Sequence, residues 1–143
     1  MTVSFKVRAA TPDDGSAIMA LIIELAEFEK LRHQVTGTAE LLAEHLGVES
    51  PAIEGLVAVN GDEILGYALF FSTYSTFRTQ PGLYLEDVYV RPAFRRRGIA
   101  TALIGKIAAI ALERHCGRFE WAVLEWNELA IAGYNGLGAE VLP

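Results

Sequence analysis

Near residue 95 a strand-like apolar pattern gives way, across a short basic turn, to a helical one. Residues 83–90 are rich in β-branched and aromatic side chains and predict a strand. Residues 98–114 predict a long helix, because Ile99, Leu103, Ile107 and Ile110 recur on one face. The turn holds Arg91, Arg95, Arg96 and Arg97 and ends on Gly98. A strand that feeds a helix and then another strand predicts a parallel crossover, so part of the sheet is parallel.

The remaining elements fall around this unit. Residues 5–9 predict a strand in which Phe5, Val7 and Ala9 alternate with Lys6 and Arg8. Thr11-Pro12-Asp13-Asp14 reads as a helix start, with a capping hydroxyl, a proline in the first turn and two acids. That helix is expected to run to about residue 31 on a stripe of Ile18, Leu21, Ile22, Leu25 and Phe28. A shorter helix over 38–46 is stopped by Gly47. Strands 55–59 and 63–71 flank Asn60-Gly61, a hairpin signal. A strand over 118–124 precedes a last helix over 127–137, with Asn127 as cap and Gly138 as stop. The order β-α-α-β-β-β-α-β-α predicts one α/β domain over residues 1–143. Its mixed sheet is antiparallel through the hairpins and parallel across the helical crossovers.

The chain has 143 residues, 52% hydrophobic and 21% charged, enough for a core and unlike a disordered chain. Its net charge is −6, opposite to that of a general nucleic-acid or anionic-membrane binder. The lone Cys116 excludes an internal disulfide framework and a cysteine-based zinc site. His33, His45 and His115 lack ligand spacing, so no metal is expected. No apolar run is long enough to cross a membrane. The first residues lack a signal peptide's apolar stretch. The expected compartment is the cytoplasm.

Four arginines in seven residues stand out in an acidic chain. Backbone N–H groups at the start of a helix lack intrahelical partners, and the helix dipole adds positive potential. Together with the arginines they would form a cradle for a pyrophosphate. Gly98 would let the backbone approach closely, and Ala100 keeps the next turn narrow. A solvated basic turn and a nucleic-acid patch compete with this reading, although no aromatic interleaving supports the latter. A Walker A loop and the dinucleotide glycine fingerprint are absent.

Arg95-Arg96-Arg97-Gly98-Ile99-Ala100 fits the pattern Gln/Arg-x-x-Gly-x-Gly/Ala of the GNAT N-acetyltransferase superfamily. Three further segments resemble its diamine (spermidine/spermine and thialysine) N-acetyltransferase branch. They are Leu25-Ala26-Glu27-Phe28-Glu29-Lys30-Leu31, Tyr84-Leu85-Glu86-Asp87, and Glu125-Trp126-Asn127-Glu128-Leu129-Ala130-Ile131-Ala132-Gly133-Tyr134. The resemblance implies the GNAT fold, a mixed, mostly antiparallel central sheet flanked by helices. It also implies an acetyl-CoA site. The backbone of Val88, Tyr89 and Val90 would pair with the pantetheine arm as an added strand. Arg95, Arg96, Arg97, Gly98, Ile99, Ala100 and Thr101 would hold the pyrophosphate. Asn127 would contact the cofactor near the pantetheine, and Tyr134 would lie near the thioester sulfur as general acid. Glu86 would face the acceptor amine. Glu27 and Trp121 are further acceptor-side candidates, as are Glu29 and Tyr74, although solvated helix and hairpin positions suit Glu27, Glu29 and Tyr74 better, and a core or cleft wall suits Trp121. The implied partners are a small cationic amine and a second copy of the chain, with no nucleic acid or membrane. A protein N-acetyltransferase and a non-catalytic acyl-CoA-binding module are the alternatives.

Glu86 and Asp87 are adjacent in a strand and are expected to point to opposite faces. A carboxylate in a central strand costs several kcal/mol unless paired or hydrated, so Glu86 either serves the acceptor or pairs with an arginine. An alkylammonium with pKa near 10.4 costs about 4.6 kcal/mol to deprotonate at pH 7, and a glutamate of ordinary pKa cannot hold that proton. Glu86 is therefore expected to attract the cation and start a water relay. Two departures from the family pattern stand out. Arg96 and Ala100 occupy positions where glycine is common, and Arg96 suits its place if its dihedrals are ordinary. The chain also stops at Leu142-Pro143, where relatives continue into one more strand, so the final strand of the sheet is expected to be missing.

Overall fold

The computed structural model describes residues 4–49, 51–123 and 127–140, and its elements follow the predicted order. They are β1 (Lys6–Ala9), α1 (Gly15–Phe28), α2 (Ala39–Leu46), β2 (Glu54–Asn60), β3 (Glu63–Ser75), β4 (Gln80–Val90), α3 (Ile99–Glu113), β5 (Phe119–Trp121) and α4 (Glu128–Gly136). The five strands form one sheet in sequence order. Every pairing is antiparallel except β4 with β5, which is parallel and connected through α3.

Local chemistry explains most boundaries. The predicted first helix begins as a separate 3-10 turn, Pro12–Asp14. Asp14 Oδ2 accepts from the Thr11 N–H at 2.8 Å, and the carboxylate takes a two-pronged ion pair from Arg8 at 2.8 and 2.9 Å. The arginine holds the Asp14 carboxyl below its usual range, although burial works against it. Helix α1 ends at Phe28, three residues short of expectation, because Lys30 takes a left-handed conformation (φ +63°) and Leu31 N–H returns to Ala26 O at 2.7 Å. Thr38 caps α2 through the Leu41 N–H, and Asn127 caps α4 through the Ala130 N–H. In the first hairpin Asn60 stays in β2 opposite Glu63, so the two loop residues are Gly61 and Asp62. Strand β5 is shorter than predicted, and Leu124 lies outside the described residues, as does Trp126. No element follows α4 among the described residues.

The core lies on both faces of the sheet. On one face Leu56, Ala58, Phe70, Leu83 and Leu85 pack with Ile99, Leu103 and Ile107 of α3. On the other, Val57, Tyr67, Leu69 and Tyr89 pack with Ile18 and Leu21 of α1. A bulge positions the site. Leu69 pairs with Asp87 but Phe70 pairs with Leu85, so Glu86 is an extra residue in β4. Before the bulge, Leu83 and Leu85 face α3. After it, Val88 and Val90 face α3 while Tyr89 faces α1.

Strands β4 and β5 then part. Among the described residues they pair from Leu83 with Phe119 to Leu85 with Trp121. Beyond that point β4 is bonded, among the described residues, on its β3 side alone. Arg91 N–H donates to Leu65 O at 2.9 Å, so odd-numbered residues bond toward β3 and Val88 and Val90 turn their backbone groups to the open side.

Candidate active site

A cavity of about 610 Å³ fills the space where β4 and β5 separate. Its walls are Glu86, Asp87, Val88, Tyr89 and Val90 from β4, and Ala122 and Val123 beyond β5. Arg95, Arg96, Gly98, Ile99, Ala100, Thr101 and Ile104 close one end. Leu25, Phe28 and Glu29 come from the end of α1, and Asn127, Ala130, Gly133, Tyr134 and Leu137 from α4 and its flanks.

The α3 end of the cavity is built to receive an anion. The Ala102 N–H bonds back to Gly98 O at 3.0 Å, so the N–H groups of Ile99, Ala100 and Thr101 precede the helical ladder and need other acceptors. Gly98 caps the helix at φ +80°. Arg96 also lies in the left-handed region, at φ +63°, so its dihedrals are not ordinary. At that angle a side chain crowds its own backbone, which accounts for glycine being common there. With Gly98 open around its Cα, the loop presents several backbone N–H groups to the same space.

The four arginines divide. Arg91 pairs with Glu63 at 3.2 Å and is not among the cavity residues. Arg95 lines the cavity, but its Nε donates to Val90 O at 3.0 Å. Its guanidinium lies 5.6 Å from the Phe28 ring and 5.4 Å from the Tyr89 ring, so it ties the loop to α1 and β4. The Tyr89 hydroxyl donates to Glu24 at 3.2 Å. Arg96 lines the cavity, and Arg97 is exposed outside its lining.

The other end is acidic. Glu86 and Asp87 both line the cavity, and the bulge puts Asp87, paired with Leu69, on the α1 side of the sheet. Glu86 is exposed, whereas Asp87 is partly buried and accepts from the Tyr67 hydroxyl at 3.2 Å. Burial, and then the neighbouring Glu86 carboxylate, push the Asp87 carboxyl up to about 6, against the pull of the Tyr67 hydrogen bond. Burial also raises the Glu29 carboxyl. Tyr134 meets the Trp121 ring edge-on at 5.4 Å. Its hydroxyl is raised above its ordinary value by burial and then by Glu29 and Asp87.

The match to known sequences agrees with this geometry. Residues 15–139 match the Acetyltransferase (GNAT) family. The chain belongs to the GNAT acetyltransferase family. It is 43% identical over 132 residues to a thialysine N-epsilon-acetyltransferase of Caenorhabditis elegans, covering 92% of this chain and 81% of that one. It is 42% identical over 147 residues to the thialysine N-epsilon-acetyltransferase of Mus musculus, covering 97% and 86%. The resemblance to the diamine branch is borne out by these relatives. The fold agrees as well. A solved protein of Bacillus halodurans C-125, described as a transcriptional regulator, superposes with a TM-score of 0.83 at 21% identity, covering 96% of this chain and 94% of that one. At that identity the likeness speaks for the fold alone.

The protein is thus a GNAT acetyltransferase, and enzymes of this family use acetyl-CoA as co-substrate. The cavity residues fit that group: an N–H cradle, an open strand edge and Asn127 share one cavity. Of the acceptor-side candidates, Glu86 and Glu29 reach the cavity. Glu27 is exposed on α1 and Tyr74 is exposed on β3, and neither is a cavity residue. Trp121 packs behind Tyr134 and against Phe119, on the core side. Sequence reading assigned no role to Asp87, because the bulge that turns it inward leaves no mark in an alternating pattern. Among the described residues no group of three or more His, Cys, Asp or Glu is placed to hold a metal ion, and no helix is long and apolar enough to cross a membrane.

Proposed function

We propose that the protein transfers acetyl from acetyl-CoA to a primary amine of a small cationic acceptor, a polyamine or a thialysine-like amino acid, by direct attack in a ternary complex. One observation carries this reading: a single cavity joins the N–H cradle of α3 to the acidic group Glu29, Glu86 and Asp87. A diphosphate suits the first end and an ammonium the second.

In this reading the N–H groups at the start of α3 hold the diphosphate, and the open edge of β4 at Val88 and Val90 pairs with the pantetheine arm. A backbone N–H there also polarises the thioester carbonyl. Asn127 uses Oδ1 for its cap, so its amide donors are the part that faces the cofactor. Glu86, exposed at the mouth, attracts the acceptor and relays its proton to water. Tyr134 donates its proton to the departing thiolate. The homodimer belongs to the same proposal and rests on the resemblance; the cytoplasmic location is proposed with it, from first residues that lack a signal peptide's apolar stretch.

A thiol-release assay tests it, using acetyl-CoA with polyamines, lysine analogues and N-terminal peptides. Release with small diamines or thialysine is the expected result. Release with peptides alone would reassign the acceptor. Cofactor binding without release from any amine would leave a binding module.

A further inference from the structure

Tyr67 is 0% exposed in β3, packed on the α1 side of the sheet with Ile18, Val57 and Tyr89. Its hydroxyl nevertheless reaches a carboxylate, donating to Asp87 Oδ2 at 3.2 Å. The bulge at Glu86 brings Asp87 onto this side, and Asp87 also lines the cavity. One edge of its carboxylate is therefore tied to the core while the residue borders the space assigned to the acceptor. Among the described residues, the groups that interact with it are acids: Glu86 on its own strand, Glu29 beyond α1, Tyr134 on α4 and Tyr67 on β3. A carboxylate held among acids, bonded from a buried hydroxyl, is poorly explained as a structural ion pair.

We infer that Asp87 is the first proton acceptor for the acceptor's ammonium, and that Tyr67 is a positioning residue that fixes its carboxylate through the sheet. The inference rests on the transferase reading and deepens it. An N–H bond of the ammonium breaks, directly or through one water, and its proton passes to Asp87 Oδ1, since Oδ2 holds the Tyr67 hydroxyl. The freed lone pair forms the C–N bond, and the C–S bond breaks. The thiolate takes the Tyr134 proton, Tyr134 recovers one from the new amide nitrogen, and Asp87 releases its own to water by way of Glu86. The net products are the amide, the free thiol and one proton. Asp87 suits this step because its carboxyl lies at about 6, nearer the ammonium than an ordinary aspartate does. Burial and the neighbouring Asp87 raise the Tyr67 hydroxyl, so it stays protonated and remains a donor.

The test pairs pH–rate profiles with direct titration of the Asp87 carboxyl by carbon-13 NMR on the full chain. Tyr67→Phe keeps the ring and removes the donor that favours the charged carboxylate. Both the NMR midpoint and the acid limb of kcat/KM should move to higher pH, with affinity for acetyl-CoA unchanged. Glu86→Gln removes a like charge and should move both to lower pH. Asp87→Asn should abolish the limb and lower kcat by about 100-fold or more. A limb that persists in Asp87→Asn, or a midpoint unmoved in Tyr67→Phe, overturns the inference while the transferase reading stands. Failure of every amine to release thiol overturns the transferase reading and this proton step together.

Discussion

Tyr134 sits on the cavity wall, and burial holds its hydroxyl above its ordinary value, so the group proposed as the leaving-group acid keeps its proton until the thiolate forms. It stays protonated at neutral pH, and the Trp121 ring steadies it from behind. Tyr134→Phe should lower kcat by about 100-fold, the usual size of an acid–base contribution, with little change in the calorimetric affinity for acetyl-CoA. Asp87 makes a second prediction, on stability. An acid whose folded pKa is raised binds its proton more tightly when folded. Its favourable contribution is therefore complete below the ordinary value of 3.8 and is lost as pH rises through about 6. Asp87→Asn removes that loss. Its melting temperature should match the parent near pH 4 and exceed it increasingly toward pH 7, with no further divergence above. Asp14 has the opposite sign. Its carboxyl is lowered, so its contribution is present above 3.8 and fades as pH falls through its folded value. The two effects therefore occupy different pH windows. At this scale sequence reading did well where a cap or turn marked the residue, as at the Asn127 cap and at Gly98 with its positive φ. It missed Asp87 and Tyr67, which meet only across paired strands.

The loop from β4 to α3 carries a strain that its role explains. Arg96 sits at φ +63°, where a residue with a side chain costs about 1–2 kcal/mol more than glycine. Arg96→Gly should raise stability to denaturant by roughly 0.5–1 kcal/mol, since the added freedom of the unfolded chain offsets part of the gain. If Arg96 also supplies charge to the diphosphate, the same variant should bind acetyl-CoA more weakly, with a shallower dependence on salt. A gain in stability with no change in binding would assign the cradle to backbone alone. The bounds of α1 show why element ends were harder to read than element types. No glycine marks its end, and the left-handed Lys30 that stops it follows from how the chain turns toward the cavity. That turn places Glu29 on the cavity wall, while Glu27, two residues earlier on the helix, stays in solvent.

Across the molecule, the site exists because β4 and β5 are parallel and separate. Antiparallel pairing holds β1 to β4 together, while among the described residues three pairs hold β5. A cofactor lying along the open edge of β4 would join β4, α3 and α4. Acetyl-CoA at about 100 times its Kd should therefore stabilise the fold by about 2.7 kcal/mol, read as a dose-dependent rise in melting temperature. A flat response would contradict a binding site in this cavity. What the residue order determined by itself was local: the element types, the helix caps, and the basic turn opening α3 with its N–H groups facing outward. These follow from short-range periodicity and backbone sterics, which act over a few residues. The tertiary structure decided the bulge that turns Asp87 inward, its bond to Tyr67, the withdrawal of Arg91 and Arg95 into structural contacts, and the separation of β4 from β5. Each depends on groups 15 or more residues apart along the chain, in register only after the sheet has assembled.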